Sequence, residues 1–153
     1  MEVNTPKKMK RLISVIILSL AFVLARAEVR DISYAQLPEK SQKIIEKCFP
    51  ERSVKSTTVE KRASLVQYEV KLSGGYKVQF SKTGMLTEVE CSKSNPVPAK
   101  VLPLRINAFM ASNYSANNVM KYEHDGKLYV LILDNLHELT FNSSGRLVDI
   151  EKP

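Results

Sequence analysis

Two histidines are the side chains of this chain best suited to metal binding or proton transfer. His124 adjoins the turn at Asp125 and Gly126, and His137 stands beside Glu138. They could form a metal site or an acid–base pair, but zinc sites use three or four protein ligands. We therefore expect two solvated histidines at a turn and a strand start, with no metal.

The short motifs of common catalytic mechanisms are absent from the sequence. It has no His-Glu-x-x-His, no phosphate-binding glycine loop, no Cys-x-x-Cys and no nucleophile elbow. No cationic cluster follows Cys48 to favour its thiolate. We predict a protein that is not an enzyme, with no catalytic residue and no cofactor.

Carboxylates recur at alternate positions near the end of two predicted strands, as Glu88 and Glu90 and again as Asp149 and Glu151. Alternate residues of a strand share one face of the sheet. A calcium site would use such oxygen ligands. Acidic residues on a solvated strand face normally only keep that face wet, and this is our prediction here.

The elements that position these side chains form a tandem repeat. Residues 68–90 align with residues 129–151 at an offset of 61, so that Phe80 meets Phe141 and Gly84 meets Gly145. An upstream block aligns at an offset of 65, so that Leu37 and Pro38 meet Leu102 and Pro103. Two aligned blocks that differ in one loop length indicate a duplicated supersecondary unit.

Each copy is predicted to be one helix followed by a four-stranded antiparallel meander. The helices are expected over 35–49 and about 101–113, with the strands of the first copy over 54–60, 65–72, 76–81 and 85–91. The second set is expected over 118–123, 127–133, 137–142 and 146–151. The predicted fold class is α+β, an eight-stranded antiparallel sheet with both helices on one face.

The two copies differ on the sheet face away from the helices. Glu69 and Lys71 of the first copy are replaced by Val130 and Ile132. Either these aliphatic side chains are tolerated in a central strand or covered by a linker or tail, or they belong to a surface that binds a partner. The predicted partner-binding set is Val130, Ile132, Glu138, Thr140 and Leu147.

Cys48 and Cys91 are the two cysteines. Cys48 lies on the apolar stripe of the first predicted helix, and Cys91 follows Val89 by two positions, so both are expected at the helix–sheet interface. They could form a disulfide in an exported protein or remain two buried free thiols. The sequence leaves both alternatives open.

The N-terminal segment has the pattern of a secretory signal peptide. A basic stretch that includes Lys7 and Arg11 precedes the apolar run from Leu12 to Leu24, and small residues follow at Ala25 and Ala27. The run of 13 residues is short for a membrane span, so cleavage is favoured over a retained anchor. We predict a signal peptide over 1–27, a periplasmic or secreted protein, and no stable membrane anchor after cleavage.

The remaining chain is predicted to be a single domain over 28–153, with repeats at about 32–91 and 98–151. The first 27 residues hold five of the 23 Lys and Arg residues and one of the 16 Asp and Glu residues, so the remainder has 18 basic and 15 acidic residues. Its net charge is therefore small, and nucleic-acid binding is not expected.

The motifs over 32–151 resemble the PepSY-like secreted proteins of Gram-negative bacteria. The resemblance lies in Leu-Pro before the helix, Phe-Pro after it, Tyr-Glu-Val-Lys-Leu-Ser-Gly-Gly, Val-Gln-Phe-Ser-Lys-Thr-Gly and Thr-Glu-Val-Glu-Cys. It implies a tandem-repeat fold similar to the beta-lactamase inhibitory protein. The expected function is binding of a protein or peptide on the open sheet face, as an inhibitor or accessory of an envelope enzyme. A periplasmic carrier of a small ligand or metal ion is the alternative.

Overall fold

The computed structural model describes residues 27–153, which form a nine-stranded antiparallel sheet and two α-helices. The strands pair in chain order from β1 to β9, so every strand neighbours the strands before and after it in the sequence. The strands are β1 (Glu28–Asp31), β2 (Val54–Arg62), β3 (Leu65–Leu72), β4 (Tyr76–Ser81), β5 (Leu86–Glu90), β6 (Val119–His124), β7 (Tyr129–Leu133), β8 (Glu138–Phe141) and β9 (Leu147–Glu151). The helices are α1 (Glu39–Cys48) and α2 (Leu104–Asn113).

The predicted α+β class with one antiparallel sheet is confirmed, but the expected number of strands was wrong. The additional strand is β1, whose four residues are all exposed and which pairs with β2. The residues predicted to form most of the signal peptide, 1–26, lie outside the described part of the chain. Within that described part, no helix is long and apolar enough to cross a membrane.

Both helices begin later than predicted because each follows a short 3-10 turn. The turns are Tyr34–Gln36 and Ala99–Val101, and Pro38 and Pro103 then occupy the N-cap positions of α1 and α2. A proline cannot donate a backbone hydrogen bond, so it is suited to a helix start, where the N–H groups have no partner within the helix.

The two repeats share local irregularities as well as elements. In both copies the first meander strand carries a register shift, at Val54 and at Val119. The last hairpin carries another, which leaves Thr87 unpaired in β5 and Val148 unpaired in β9. A bulge of one extra residue bends a strand and changes which face the following side chains occupy.

One hydrophobic core lies between the helices and one face of the sheet. It is continuous across the two copies, because Val89 of β5 pairs directly with Tyr122 of β6 and both side chains are buried. Phe109 of α2 packs edge-on against Phe141 at 5.3 Å between ring centroids, on the same sheet face as Val89. Both helices therefore lie on one face, as predicted.

Each helix also rests on the glycine turn of its own last hairpin. Gly84 has φ +79°, and a Cβ built on it would lie 2.9 Å from Cβ of Pro38 at the start of α1. Gly145 has φ +74°, and its Cβ would lie 3.1 Å from Cβ of Arg105 in α2. These glycines thus allow both a left-handed backbone and close helix–turn packing.

We expect Gly84→Ala to lower the free energy of unfolding by about 2–4 kcal/mol, since it combines left-handed strain with overpacking. Gly126→Ala is the matched control, because Gly126 has φ +96° with no atom within 4 Å of its added Cβ. The control should cost only about 1 kcal/mol. Urea denaturation measures both, and equal losses would show that the contact with Pro38 is not constraining.

Candidate functional site

The sheet face opposite the helices, here called the open face, carries the candidate site. No helix of residues 27–153 lies on it, since α1 and α2 both pack on the other face. The strand registers align one row of side chains across all nine strands. This row consists of Asp31, Thr58, Glu69, Gln79, Glu88, Glu123, Val130, Thr140 and Asp149.

Four of the five predicted partner-binding residues lie together on the open face. Val130 pairs with Thr140 and Ile132 pairs with Glu138 across β7 and β8. The two aliphatic side chains are half-buried, while Thr140 is only 1% exposed. The apolar part of this surface is therefore small, and polar side chains enclose it.

Leu147 is not part of this set, which corrects the sequence prediction. It pairs with Phe141 and packs against the core on the helix-covered face. Counting by twos from Glu151 through Asp149 assigns Leu147 to the open face. The extra residue, Val148, breaks that alternation and turns Leu147 to the opposite side.

A charged cluster lies beside Val130 and Ile132 where the two repeats meet. It consists of two lysines, Lys77 and Lys121, and three glutamates, Glu88, Glu90 and Glu123. Lys121 Nζ lies 2.6 Å from Glu123, 3.4 Å from Glu88 and 3.5 Å from Glu90.

Lys77 Nζ completes the cluster, at 2.5 Å from Glu90 and 3.8 Å from Glu88. We call these five residues the seam cluster, because its ion pairs join β4 and β5 of the first repeat to β6 of the second. Its three carboxylates outnumber its two ammonium groups, so the cluster has a formal charge of −1.

The two β5 carboxylates of the seam cluster have opposite pKa shifts. Burial raises the pKa of Glu88, and the opposing attraction of Lys121 is smaller. For Glu90, the hydrogen bond from Lys77 lowers the pKa of the carboxyl more than burial raises it. The pKa of Lys121 is raised, since contacts with Glu123, Glu88 and Glu90 together outweigh the burial that would lower it.

Glu88 and Glu90 share one face of the sheet as predicted, and this is the open face, but the expectation of merely solvated carboxylates does not describe Glu88. Its side chain is only 19% exposed and contacts both lysines. The pattern of the isolated strand could not show this, because Lys121 belongs to another repeat. Only the pairing of Glu90 with Lys121 brings the charges together.

The histidines lie apart from the seam cluster and contact aromatic rings. His124 stacks on Tyr129 with ring centroids 4.0 Å apart, and burial lowers the pKa of its imidazole. His137 packs edge-on against Tyr114. In the part of the chain that the structure describes, no group of three or more His, Cys, Asp or Glu side chains could hold a metal ion.

Cys48 and Cys91 are free thiols in the structure, and Cys48 is buried whereas Cys91 is half-buried. Cys48 Sγ donates to the carbonyl of Lys100 at 3.4 Å, and Cys91 Sγ donates to that of Met120 at 2.9 Å. Burial raises the pKa of both thiols, so neither is activated as a thiolate.

Comparison with known proteins identifies two matches to one family model, at residues 24–87 and 66–149. The family is described as "Putative beta-lactamase-inhibitor-like, PepSY-like". The two matches agree with the tandem repeat of the sequence. No curated protein matches the chain.

Solved structures from Bacteroides have the same fold. A "putative calcium-regulated periplasmic protein" of Bacteroides thetaiotaomicron is 33% identical, with a TM-score of 0.75 over 81% of this chain and 97% of that chain. A "putative periplasmic protein" of the DUF2874 family from Bacteroides vulgatus is 32% identical, with a TM-score of 0.75 over 82% of this chain and 98% of that one.

A third, from Bacteroides vulgatus and of unknown function, is 27% identical, with a TM-score of 0.72 over 83% of this chain and 100% of that one. All three relatives are described as periplasmic. The prediction of a periplasmic or secreted protein is confirmed by these relatives.

We expect Glu90→Gln to lower the free energy of unfolding at pH 7, and Glu88→Gln to leave it unchanged or raise it. Glu90 has a lowered pKa, so its charged form stabilises the fold, and its loss should cost up to about 1 kcal/mol, as for partly exposed ion pairs. Glu88 has a raised pKa, so its charged form opposes folding, and Glu88→Gln should be neutral or stabilising.

For both variants, the difference from wild type in the free energy of unfolding should vanish in acid. Urea unfolding at several pH values measures this difference. The Glu88 difference should disappear as the pH falls from its raised folded pKa to the ordinary value of 4.5. The Glu90 difference should persist to lower pH, until its lowered folded pKa is passed. If both variants lost stability with the same pH dependence, the environments assigned to Glu88 and Glu90 would be contradicted.

We expect both cysteines of the purified, unreduced protein to react with iodoacetamide after unfolding, which mass spectrometry measures as two added groups. In the native protein the reaction should be slow, since both thiols donate to backbone carbonyls and have raised pKa values. A mass without added groups under denaturing conditions would instead establish a disulfide.

Proposed function

This chain belongs to the PepSY-like family, and we propose that it is a non-enzymatic periplasmic protein that binds a protein or peptide partner on its open face. The observation that supports this most strongly is the contrast between the two faces of one sheet. Helices cover one face, whereas the other presents aligned side chains with no described helix over them. Such a preformed platform needs little ordering on binding, which favours affinity.

The composition of the open face around β7 fits a protein interface better than a solvated strand. Val130 and Ile132 lie between Glu123 and Lys121 of β6 on one side and Thr140 and Glu138 of β8 on the other. Protein interfaces commonly combine a small apolar centre with a polar rim. The first repeat lacks this centre, because its equivalent positions are Glu69 and Lys71.

The seam cluster would contribute to specificity rather than to raw affinity. Its lysines and glutamates are already paired with one another, so their side chains are largely ordered before a partner arrives. Complementary charges mainly set the orientation and the rate of association. Its net charge of −1 favours a partner surface with a basic side chain opposite Glu88 and Glu123.

The partner class that we propose is an enzyme of the cell envelope, for which this protein would be an inhibitor or accessory. This step is an analogy of fold, since it follows from the inhibitor-like description of the family. The carrier alternative has less support, because the described residues hold no metal-ligand group. One relative is nevertheless described as calcium-regulated, so calcium belongs in the test.

We expect Val130→Glu/Ile132→Lys to weaken capture of a partner from envelope extract at least tenfold, because it places charges at the apolar centre. The matched control is Glu69→Lys/Lys71→Glu, which changes two residues at the equivalent positions of the first repeat and keeps its composition. Circular dichroism and melting temperature verify folding of both variants.

A partner retained equally by wild type and both variants would contradict a role for the Val130–Ile132 surface. Loss in both variants would place binding on the open face without restricting it to the second repeat. Calorimetric titration of the wild type with calcium addresses the carrier alternative. Heat of binding at micromolar affinity, without partner capture, would favour that alternative instead.

A further inference from the structure

A groove lies on the helix side of the second repeat. It runs between the segment that precedes α2 and the helix itself. Its walls combine aliphatic side chains with amides and hydroxyl groups, and it is lined by Pro96, Val97, Ala99, Leu102, Asn107 and Met110, together with neighbours at the end of α2 and before β6.

In the first repeat, the corresponding place is occupied by a tyrosine. Tyr34 lies in the 3-10 turn before α1, and its ring is half-buried and packs against the core. Its hydroxyl donates to the backbone carbonyl of Gln42 in the helix at 3.2 Å. The side-chain amide of Gln42 donates through Nε2 to the backbone carbonyl of Leu37 at 2.9 Å, which connects the turn to the helix.

The repeat alignment shows that the second copy lacks this tyrosine. At the offset of 65 that matches Leu37 with Leu102, Tyr34 corresponds to Ala99, and Gln42 corresponds to Asn107. Both replacements shorten the side chain. The local elements correspond, because each 3-10 turn, Tyr34–Gln36 or Ala99–Val101, is followed by a proline N-cap and a helix.

The floor of the groove keeps its apolar character in both copies. Leu102 replaces Leu37, Met110 replaces Ile45, and the helix C-cap is Tyr114 in place of Phe49. The second repeat thus keeps an apolar floor, and Tyr114 also lines the groove, but no aromatic ring stands at the position that corresponds to Tyr34. The backbone carbonyl of Asn107 corresponds to the acceptor that Tyr34 uses.

We propose that this groove is a binding site for a phenolic ring of the tyrosine type, presented by a partner polypeptide. The ring would occupy the place that Tyr34 fills in the first repeat. Its hydroxyl would donate to the carbonyl of Asn107, and its edges would pack on Leu102 and Met110. The first repeat of the same chain is the template for both the ring and its hydrogen bond.

This site is independent of the binding function proposed for the open face. The groove borders α2, whereas Val130 and Ile132 lie on the sheet face away from the helices. A single partner could not contact both with one flat surface. Substitutions in the groove should therefore leave the Val130–Ile132 surface unchanged, and each proposal can fail without the other.

N-acetyltyrosinamide is the probe, and its binding is followed by the backbone amide resonances of the 15N-labelled protein. We expect saturable shifts at Ala99, Leu102 and Asn107, with a Kd on the order of 1 mM for so small a ligand. N-acetylphenylalaninamide should bind roughly three- to tenfold more weakly, because it lacks the hydroxyl donor. N-acetylleucinamide should cause no saturable shift at these residues.

Ala99→Tyr is the decisive variant. It places a tyrosine at the position that corresponds to Tyr34, so its ring should fill the groove and abolish the shifts caused by the tyrosine probe. Tyr34→Ala is the converse, which should open a second groove and add shifts near Gln42. Wild-type protein that shows no saturable shift at Ala99 and Asn107 would overturn the proposal. Shifts that persist in a folded Ala99→Tyr variant would also overturn it, and equal binding of the phenylalanine analogue would overturn the hydroxyl assignment.

Discussion

The backbone ladder between β5 and β6 is the interaction on which the rest of this structure depends. A unit of about 60 residues buries too little apolar surface to be stable with a wide margin. Pairing Val89 with Tyr122 continues the core from one repeat into the next. The same three residue pairs bring Glu88 and Glu90 beside Lys121 on the opposite face. One short strand pairing therefore both continues the hydrophobic core across the two repeats and assembles the seam cluster.

Much of this fold could be predicted because the chain repeats its own pattern. The bounds of β3 and β4 match the sequence prediction, since clean alternation and glycine turns define them. Strand β1 was missed because its four residues are all exposed, so its own sequence has no alternation of buried and exposed positions. Leu147 was misplaced because a bulge residue cannot be recognised from alternation alone.

Less of the candidate site could be predicted, since it depends on contacts between residues distant in the chain. The substitution of Glu69 and Lys71 by Val130 and Ile132 was visible in the sequence and located the aliphatic pair correctly on the open face. The seam cluster was not visible, because its lysines come from strands of different repeats. The groove beside Ala99 required both the alignment and the contacts of Tyr34.

The position of β5 has a further consequence for how the chain folds as it emerges. In the first repeat, β1 precedes the 3-10 turn and helix and then pairs with β2, while in the second repeat β5 precedes them and pairs with β6. One strand thus ends the first unit and begins the second. Residues 28–90 already contain a complete five-stranded unit, whereas the second unit has no counterpart of β1 other than β5, which it shares with the first. If folding proceeds from the N-terminus, β5 would be the edge strand of an already folded first unit. The later half of the chain would then assemble by pairing β6 with that edge.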